Sequence, residues 1–304
     1  MRNLTRRRFL AITAGATLCV GRAEAAPLRQ WRGSALGAEA TITLRHPDGA
    51  TIARRAFDEI DRLEDIFSLY RPGSALSRLN KTGHLPAPPF ELLECLGLCG
   101  AVHRASGGQF DPSVQPLWAL YAETHADGRA PRPDEIEAAR ARVGWSNMAF
   151  GPEAVRLRPG MALTLNGIAQ GYVADRVAGL LRAEGLTDIL VNTGEFHALG
   201  GDWPIGLDAG ERSPAEKLRL RDRALASSAP LGTVFDRAGR EGHILDPATG
   251  RPAPPLWRLI SVTAPSAALA DALSTAMVLM GPHKIDRVLQ FFPGAELVAA
   301  VPAA

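Results

Sequence analysis

Segments with strand-like and helix-like apolar spacing alternate along this chain without a regular beat, and that irregularity most limits its fold. Period-2 alternation over Ala40–Leu44 predicts a strand, and the stretch "TIARRAFDEIDRLEDIFSLY" (51–70) puts Ala56, Ile60, Leu63 and Phe67 on one helix face. "RPGSALSRLN" (71–80) reads as a loop. A second helical pattern, "ELLECLGLCGAVHRA" (91–105), precedes a glycine turn that runs into the aromatic segment "SGGQFDPSVQPLWALY" (106–121). Further on come a strand at Leu163–Leu165, a helix from Tyr172 to Ala183, and the strand "DILVNTG" (188–194). "GHILDPATGRP" (242–252), a strand "LISVTAPS" (259–266) and an apolar helix "AALADALSTAMVLMG" (267–281), closed by Gly281, complete the pattern. A doubly wound sheet needs a steadier repeat of strand and helix, so α+β is the expected class.

The 304 residues suffice for one large domain or two small ones. Residues 1–25 read as a leader: Thr5-Arg6-Arg7-Arg8-Phe9-Leu10 precedes an apolar run to Val20 and a small-residue site, Ala23-Glu24-Ala25. This is the pattern of a twin-arginine export signal cut before Ala26, which predicts a periplasmic protein. About eleven apolar residues are too few to span a bilayer. The leader holds five Arg and one Glu, so a formal charge of +2 becomes −2 without it. A nucleic-acid partner thereby loses its electrostatic support. Cys95 and Cys99 lie four apart in a helical pattern and are expected as buried free thiols.

Several catalytic signatures are missing, among them GxGxxG after a strand, GxxxxGK[ST], GxSxG and HExxH. What stands out instead is polarity in apolar surroundings. Asp271 and Thr275, four apart on the helix from Ala267, share one face one turn apart. A carboxylate and a hydroxyl are hard ligands suited to Mg²⁺. They are equally the parts of an ordinary helix, an Asp favoured by the dipole and a Thr bonded back to a carbonyl. The stretch "LTLNGIAQGYVADRV" (163–177) has the shape of a phosphate-binding turn with no basic side chain before Asp175. Phosphate there would depend on backbone N–H groups at the start of the helix at Tyr172, with a nearby metal supplying charge, or the glycines only allow close packing. His243 at a strand start can be a general base near neutral pH or a structural imidazole. Tyr70 and Phe110 can stack on a planar ring or be core.

In this order the segments resemble the ApbE family of FAD:protein FMN transferases over nearly the whole chain after the leader. "LGAEATITL" is similar to that family's opening strand, "YRPGSALSRLN" to its Tyr-x-Pro-x-Ser…Asn loop, and "GGQFDPSVQPLWALY" to its Gly-x-Phe-Asp-Pro segment. "HILDPATGRP" resembles its His-Ile-x-Asp-Pro-x-Thr-Gly signature and "ADALSTAM" its metal helix. The resemblance implies an α+β fold related to the T-fold, with FAD in a cleft between two lobes. It also implies Mg²⁺-dependent transfer of FMN from FAD to a Thr or Ser hydroxyl of an acceptor protein, with release of AMP. Asp271 and Thr275 become side-chain metal ligands, with Gly167 and Ser274 offering carbonyls. Leu36, Tyr70, Gln109, Phe110, Asp111 and Ile244 fall where the family contacts FAD, and His243 where it has a proposed base. Two departures lie in the turn itself, both among the expected FAD contacts: Thr164 replaces an Asp and cannot act as a carboxylate, and Gln170 replaces a Lys and can hydrogen-bond a flavin or phosphate oxygen without charge. Glu195 in "VNTGEFHALG" stands where Gly-Asp is common. Such changes fit a weakened or inactive homologue, a non-catalytic flavin-delivery protein, or a branch with its own acceptor; an FAD pyrophosphatase, with water in place of the acceptor hydroxyl, is the other enzymatic reading. The combination with a twin-arginine leader is similar to the NosX branch, associated with flavinylation of NosR in nitrous-oxide respiration.

Overall fold

This computed structural model describes residues 26–208 and 216–303, so the leader and its expected cleavage site lie outside the described residues. A hairpin opens the fold, β1 (Arg29–Ala35) and β2 (Ala38–Leu44), closed by Leu36 and Gly37 at φ of 49° and 82°. Two successive residues with positive φ give a turn whose twist matches paired strands. Helices α1 (Gly49–Phe67) and α2 (Ala75–Thr82) follow, then β3 (His84–Pro86), α3 (Phe90–Ser106), α4 (Gln115–Ala126) and α5 (Pro133–Arg140). Short strands β4 (Ala149–Phe150) and β5 (Ala154–Arg156) join β3 in a small sheet. The second half contains α6 (Ala169–Ala183), β6 (Ile189–Asn192), β7 (Phe196–Leu199) and the hairpin β8 (Trp203–Leu207) and β9 (Glu216–Leu220). It ends with β10 (Ala224–Ser228), β11 (Trp257–Ala264), α7 (Ala267–Met277), α8 (Pro282–Leu289) and β12 (Glu296–Pro302).

The main sheet has seven strands in the order β1-β2-β6-β7-β10-β11-β12, every neighbouring pair antiparallel. Alternation divides its apolar residues between two faces. Ile189, Val191, Ala224 and Ala226 face a large core with α1, α3, α6 and α7, whereas Leu190, Ala198 and Leu225 meet Ile205, Leu207 and Leu220 of the β8–β9 hairpin. A third, separate cluster joins α4 and α5 to Leu245 through Leu117, Tyr121, Ile136 and Ala139. The expected mixed α+β class is the observed one.

Helices α6 and α7 meet backbone to backbone. A Cβ on Gly171 would lie 2.2 Å from the Ala267 carbonyl oxygen, so only glycine permits the approach. Asp175, one turn further along α6, accepts the backbone N–H groups of Ala267 (2.6 Å) and Ala268 (2.9 Å). Ser266 accepts that of Leu269, so three orphan donors at the start of α7 are satisfied. The buried His197 on β7 contributes a third contact to Asp175, at 2.6 Å from Nδ1.

Four local expectations are corrected. Residues Leu163–Leu165 form no strand; Leu163 instead pairs both backbone groups with the Asn80 side chain (2.7 and 2.8 Å), and Thr164 N–H donates to the Pro112 carbonyl. The helix expected from Tyr172 begins at Ala169, so Gly171 lies inside it. "RPGSALSRLN" is largely helical, because Ser74 caps the start of α2 and Gly83, at φ 69°, its end. Helix α7 ends at Met277 rather than Met280, and Gly281 caps α8. Cys95 and Cys99 are buried free thiols, as expected, and burial raises the Cys99 pKa well above its usual value.

Candidate active site

A cavity of about 520 Å³ is bordered by the start of α6, the sheet end at β10, α7 and the 229–247 segment. Two sequences far apart in the chain supply its polar groups. Thr164, Gly167 and Gln170 come from the turn before and into α6, and Asp271 and Thr275 from α7. The close packing at Gly171 sets their distance. A Cβ on Gly167 would lie 2.9 Å from Thr275 Oγ1, so the turn passes directly over the threonine hydroxyl.

Asp271 is 4% exposed, and the contact given for its carboxylate is a long one, the Gly171 N–H at 3.4 Å. Burial pushes its pKa up to about 8, the Gly171 N–H opposes the shift, and the neighbouring Asp175 charge adds to it. A carboxyl in this state is poorly solvated as an anion and gains from a cation. Among the described residues no group of three or more His, Cys, Asp or Glu could hold a metal ion. A cation here would depend on one carboxylate plus hydroxyl and carbonyl oxygens, a set that suits hard divalent ions. On that chemistry the residues fit Mg²⁺.

His243 borders the same cavity. It lies in no strand, contrary to expectation, because its backbone N–H and its Nδ1 both approach the Thr233 carbonyl, at 3.1 and 3.0 Å. A carbonyl only accepts, so Nδ1 carries a proton. The strap 233–243 that bears it is folded on itself by Phe235 N–H to the Glu241 carbonyl and by Asp236, which caps the N–H groups of Arg240 and Glu241. It is pinned to α4 by side chains. Phe235 packs among Trp118, Tyr121 and His125, and His125 Nε2 meets Glu241 Oε2 at 2.6 Å.

Gln109 and Phe110 also line the cavity. Gln109 Nε2 donates to the Leu279 carbonyl at 2.6 Å, while its Oε1 is buried with no partner, an acceptor that a ligand N–H would satisfy. Asp111 reaches the cavity wall, but its carboxylate is occupied: Oδ1 accepts from Ser113 N–H and Oγ–H, and Oδ2 from Trp145 N–H. It caps the turn into α4. Gln170 turns its side-chain amide onto Gly194, where a Cβ would come within 2.7 Å of the amide carbon, and its carbonyl accepts the Thr193 hydroxyl at 2.7 Å.

The profile described as "ApbE family" matches residues 36–299. The chain belongs to the ApbE family. It is 32% identical over 276 residues to the FAD:protein FMN transferase of Treponema pallidum, covering 81% of this chain and 76% of that protein. It is 30% identical over 302 residues to the protein of the same name from Vibrio cholerae, covering 91% and 89%. The apo crystal structure of the flavinyl transferase ApbE of Pseudomonas stutzeri superposes with a TM-score of 0.79 at 25% identity, over 93% of this chain and 97% of that one.

Within this ApbE chain, the cavity gathers Gln109, Phe110, Asp111, Thr164 and Gln170, together with Gly167, His243, Ile244, Asp271 and Thr275. Three expected site residues lie elsewhere. Tyr70 is exposed at the mouth of a second cavity, of about 820 Å³, that shares Trp118 with the first. Leu36 is at the tip of the first hairpin, its N–H given to Glu64 at 2.6 Å, and lines neither cavity. Ser274 is fully buried behind the wall, its hydroxyl donating to the Asp271 carbonyl at 3.0 Å. Sequence reasoning missed Asp175, Ser228, and the His125–Glu241 pair. A signal existed only for Asp175, a carboxylate on a helix of buried apolar residues, the same contrast that singled out Asp271.

Proposed function

We propose that this chain transfers FMN from FAD to a Thr or Ser hydroxyl of an acceptor protein in a Mg²⁺-dependent reaction that releases AMP. The reading is carried by one observation: a desolvated, under-bonded carboxylate at Asp271 borders the same cavity as His243, whose Nδ1 is held against the Thr233 carbonyl. The names of the Treponema and Vibrio relatives support it. FAD would lie in the cavity with a ring N–H on Gln109 Oε1. Asp271 and Thr275, with the carbonyl of Gly167, would hold Mg²⁺, which offsets negative charge on the pyrophosphate when bound. The acceptor oxygen bonds to the phosphorus of the FMN half as the bridging P–O bond breaks. AMP leaves with the bridging oxygen, and His243 Nε2 takes the hydroxyl proton. In-line placement of the hydroxyl contributes the rest. The same reading extends to the NosX branch, with export through the 1–25 leader and a periplasmic NosR-like acceptor in nitrous-oxide respiration. Gln170 and Thr164 then mark how this branch holds flavin with neutral groups.

The test is intact-mass analysis of a NosR-like FMN-binding domain incubated with the protein, FAD and Mg²⁺. The expected result is an FMN adduct on the acceptor with AMP released, lost in Asp271→Ala and slowed about 10²- to 10⁴-fold in His243→Asn. Free FMN formed without acceptor at the same rate would make the protein a pyrophosphatase. No adduct, on an acceptor that another ApbE enzyme modifies, would overturn the reading.

A further inference from the structure

Ser228, the last residue of β10, lines the cavity beside α7. Its Oγ lies 2.8 Å from Ser274 Oγ and 3.4 Å from Thr275 Oγ1. The direction of these contacts follows from counting protons, because each hydroxyl has a single one to give. Ser274 donates its proton to the Asp271 carbonyl, which can only accept. The proton between Ser228 and Ser274 must then come from Ser228. At 3.4 Å the Ser228–Thr275 pair is too long to be a strong bond. Ser228 therefore has lone pairs and no proton to offer the cavity.

That polarity discriminates between ligands. A phosphate oxygen needs donors and would meet only lone pairs at Ser228. A hard cation needs oxygen lone pairs and finds them there. We propose that Ser228 is a further side-chain ligand of a divalent-cation site at Asp271 and Thr275, its hydroxyl oxygen turned to the ion because Ser274 takes its proton. The inference rests on the reading of this cavity as a cation site. It also gives fully buried Ser274 a role that a backbone carbonyl alone does not explain: its side chain orients the Ser228 hydroxyl.

The experiment measures Mn²⁺ and Cd²⁺ binding to the full protein by titration calorimetry without FAD, for the wild type, Ser228→Ala, Ser228→Cys and Asp271→Ala. Direct ligation predicts that Ser228→Ala weakens Mn²⁺ about 10- to 100-fold. It also predicts that Ser228→Cys shifts preference about tenfold or more toward Cd²⁺, because sulfur favours the softer ion. If Ser228→Ala weakens binding but Ser228→Cys leaves the preference unchanged, Ser228 only holds its neighbours and direct ligation is wrong. If neither Ser228 variant matters while Asp271→Ala abolishes binding, the inference fails and the cation site stands. If Asp271→Ala also binds Mn²⁺ normally, the cation reading itself fails.

Discussion

Two walls of one cavity are held by opposite means. The α6–α7 wall is fixed by backbone: Gly171 against the Ala267 carbonyl, and Asp175 on two N–H groups of α7. The strap with His243 is fixed by side chains, an aromatic stack around Phe235 and the His125–Glu241 contact. Asp271 and Thr275 thus cannot move relative to the 164–170 turn without disturbing the core, whereas His243 rides on a strap held to α4 by side-chain contacts. On the proposed function, the groups that would share one ion sit on the first kind of support and the proton acceptor on the second.

The sharpest way to break this contrast is Gly171→Ala. With backbone 2.2 Å from the new Cβ, relief requires the helices to part, and we expect a loss of about 3 kcal/mol or more in urea unfolding. An unchanged midpoint would mean the wall is not a backbone clasp.

The next effect is a pH dependence confined to that wall. Asp271 holds its proton up to about pH 8 in the fold but ionises near pH 4 when unfolded, so unfolding releases a proton between these values. Stability without divalent ions should fall as pH rises through this window. Urea melts from pH 5 to pH 8 measure it. Asp271→Asn should flatten the profile, and a flat wild-type profile would remove the desolvated carboxyl from the account.

The smallest stability effects belong to the strap. Glu241→Gln should cost under about 1 kcal/mol, as the loss of one partly exposed side-chain contact does. Phe235→Ala should cost about 1–2 kcal/mol for a half-buried ring. Both should slow FMN transfer in a single-turnover assay while leaving Mn²⁺ affinity unchanged. Weakened Mn²⁺ binding would show that the two walls are not independent.

Much of the wall was legible in the sequence, and little of the strap. Asp271 and Thr275 stood out because a helix interior of Ala, Leu and Met has no packing use for a carboxylate. The amphipathic α1 and the strand β2 were legible from period alone. Leu163–Leu165 was misread because an apolar run says nothing about where its N–H groups go, and here they go to a side chain and a distant carbonyl. The caps of α2, Ser74 and Gly83, were present in the sequence but hidden by the Pro and Gly ahead of them. Ser228 was out of reach: its meaning lies in distances to two hydroxyls some fifty residues away.

The sheet order has a consequence in time. Strand β2 pairs with β6, Thr41 opposite Asn192, so its partner lies about 150 residues downstream. At about 5–20 residues per second of synthesis, the first hairpin waits roughly 8–30 s before the strand that covers the β2 edge is made. An open edge of buried-type residues is the surface on which chains associate wrongly. The opening hairpin is therefore where a newly made chain most needs protection.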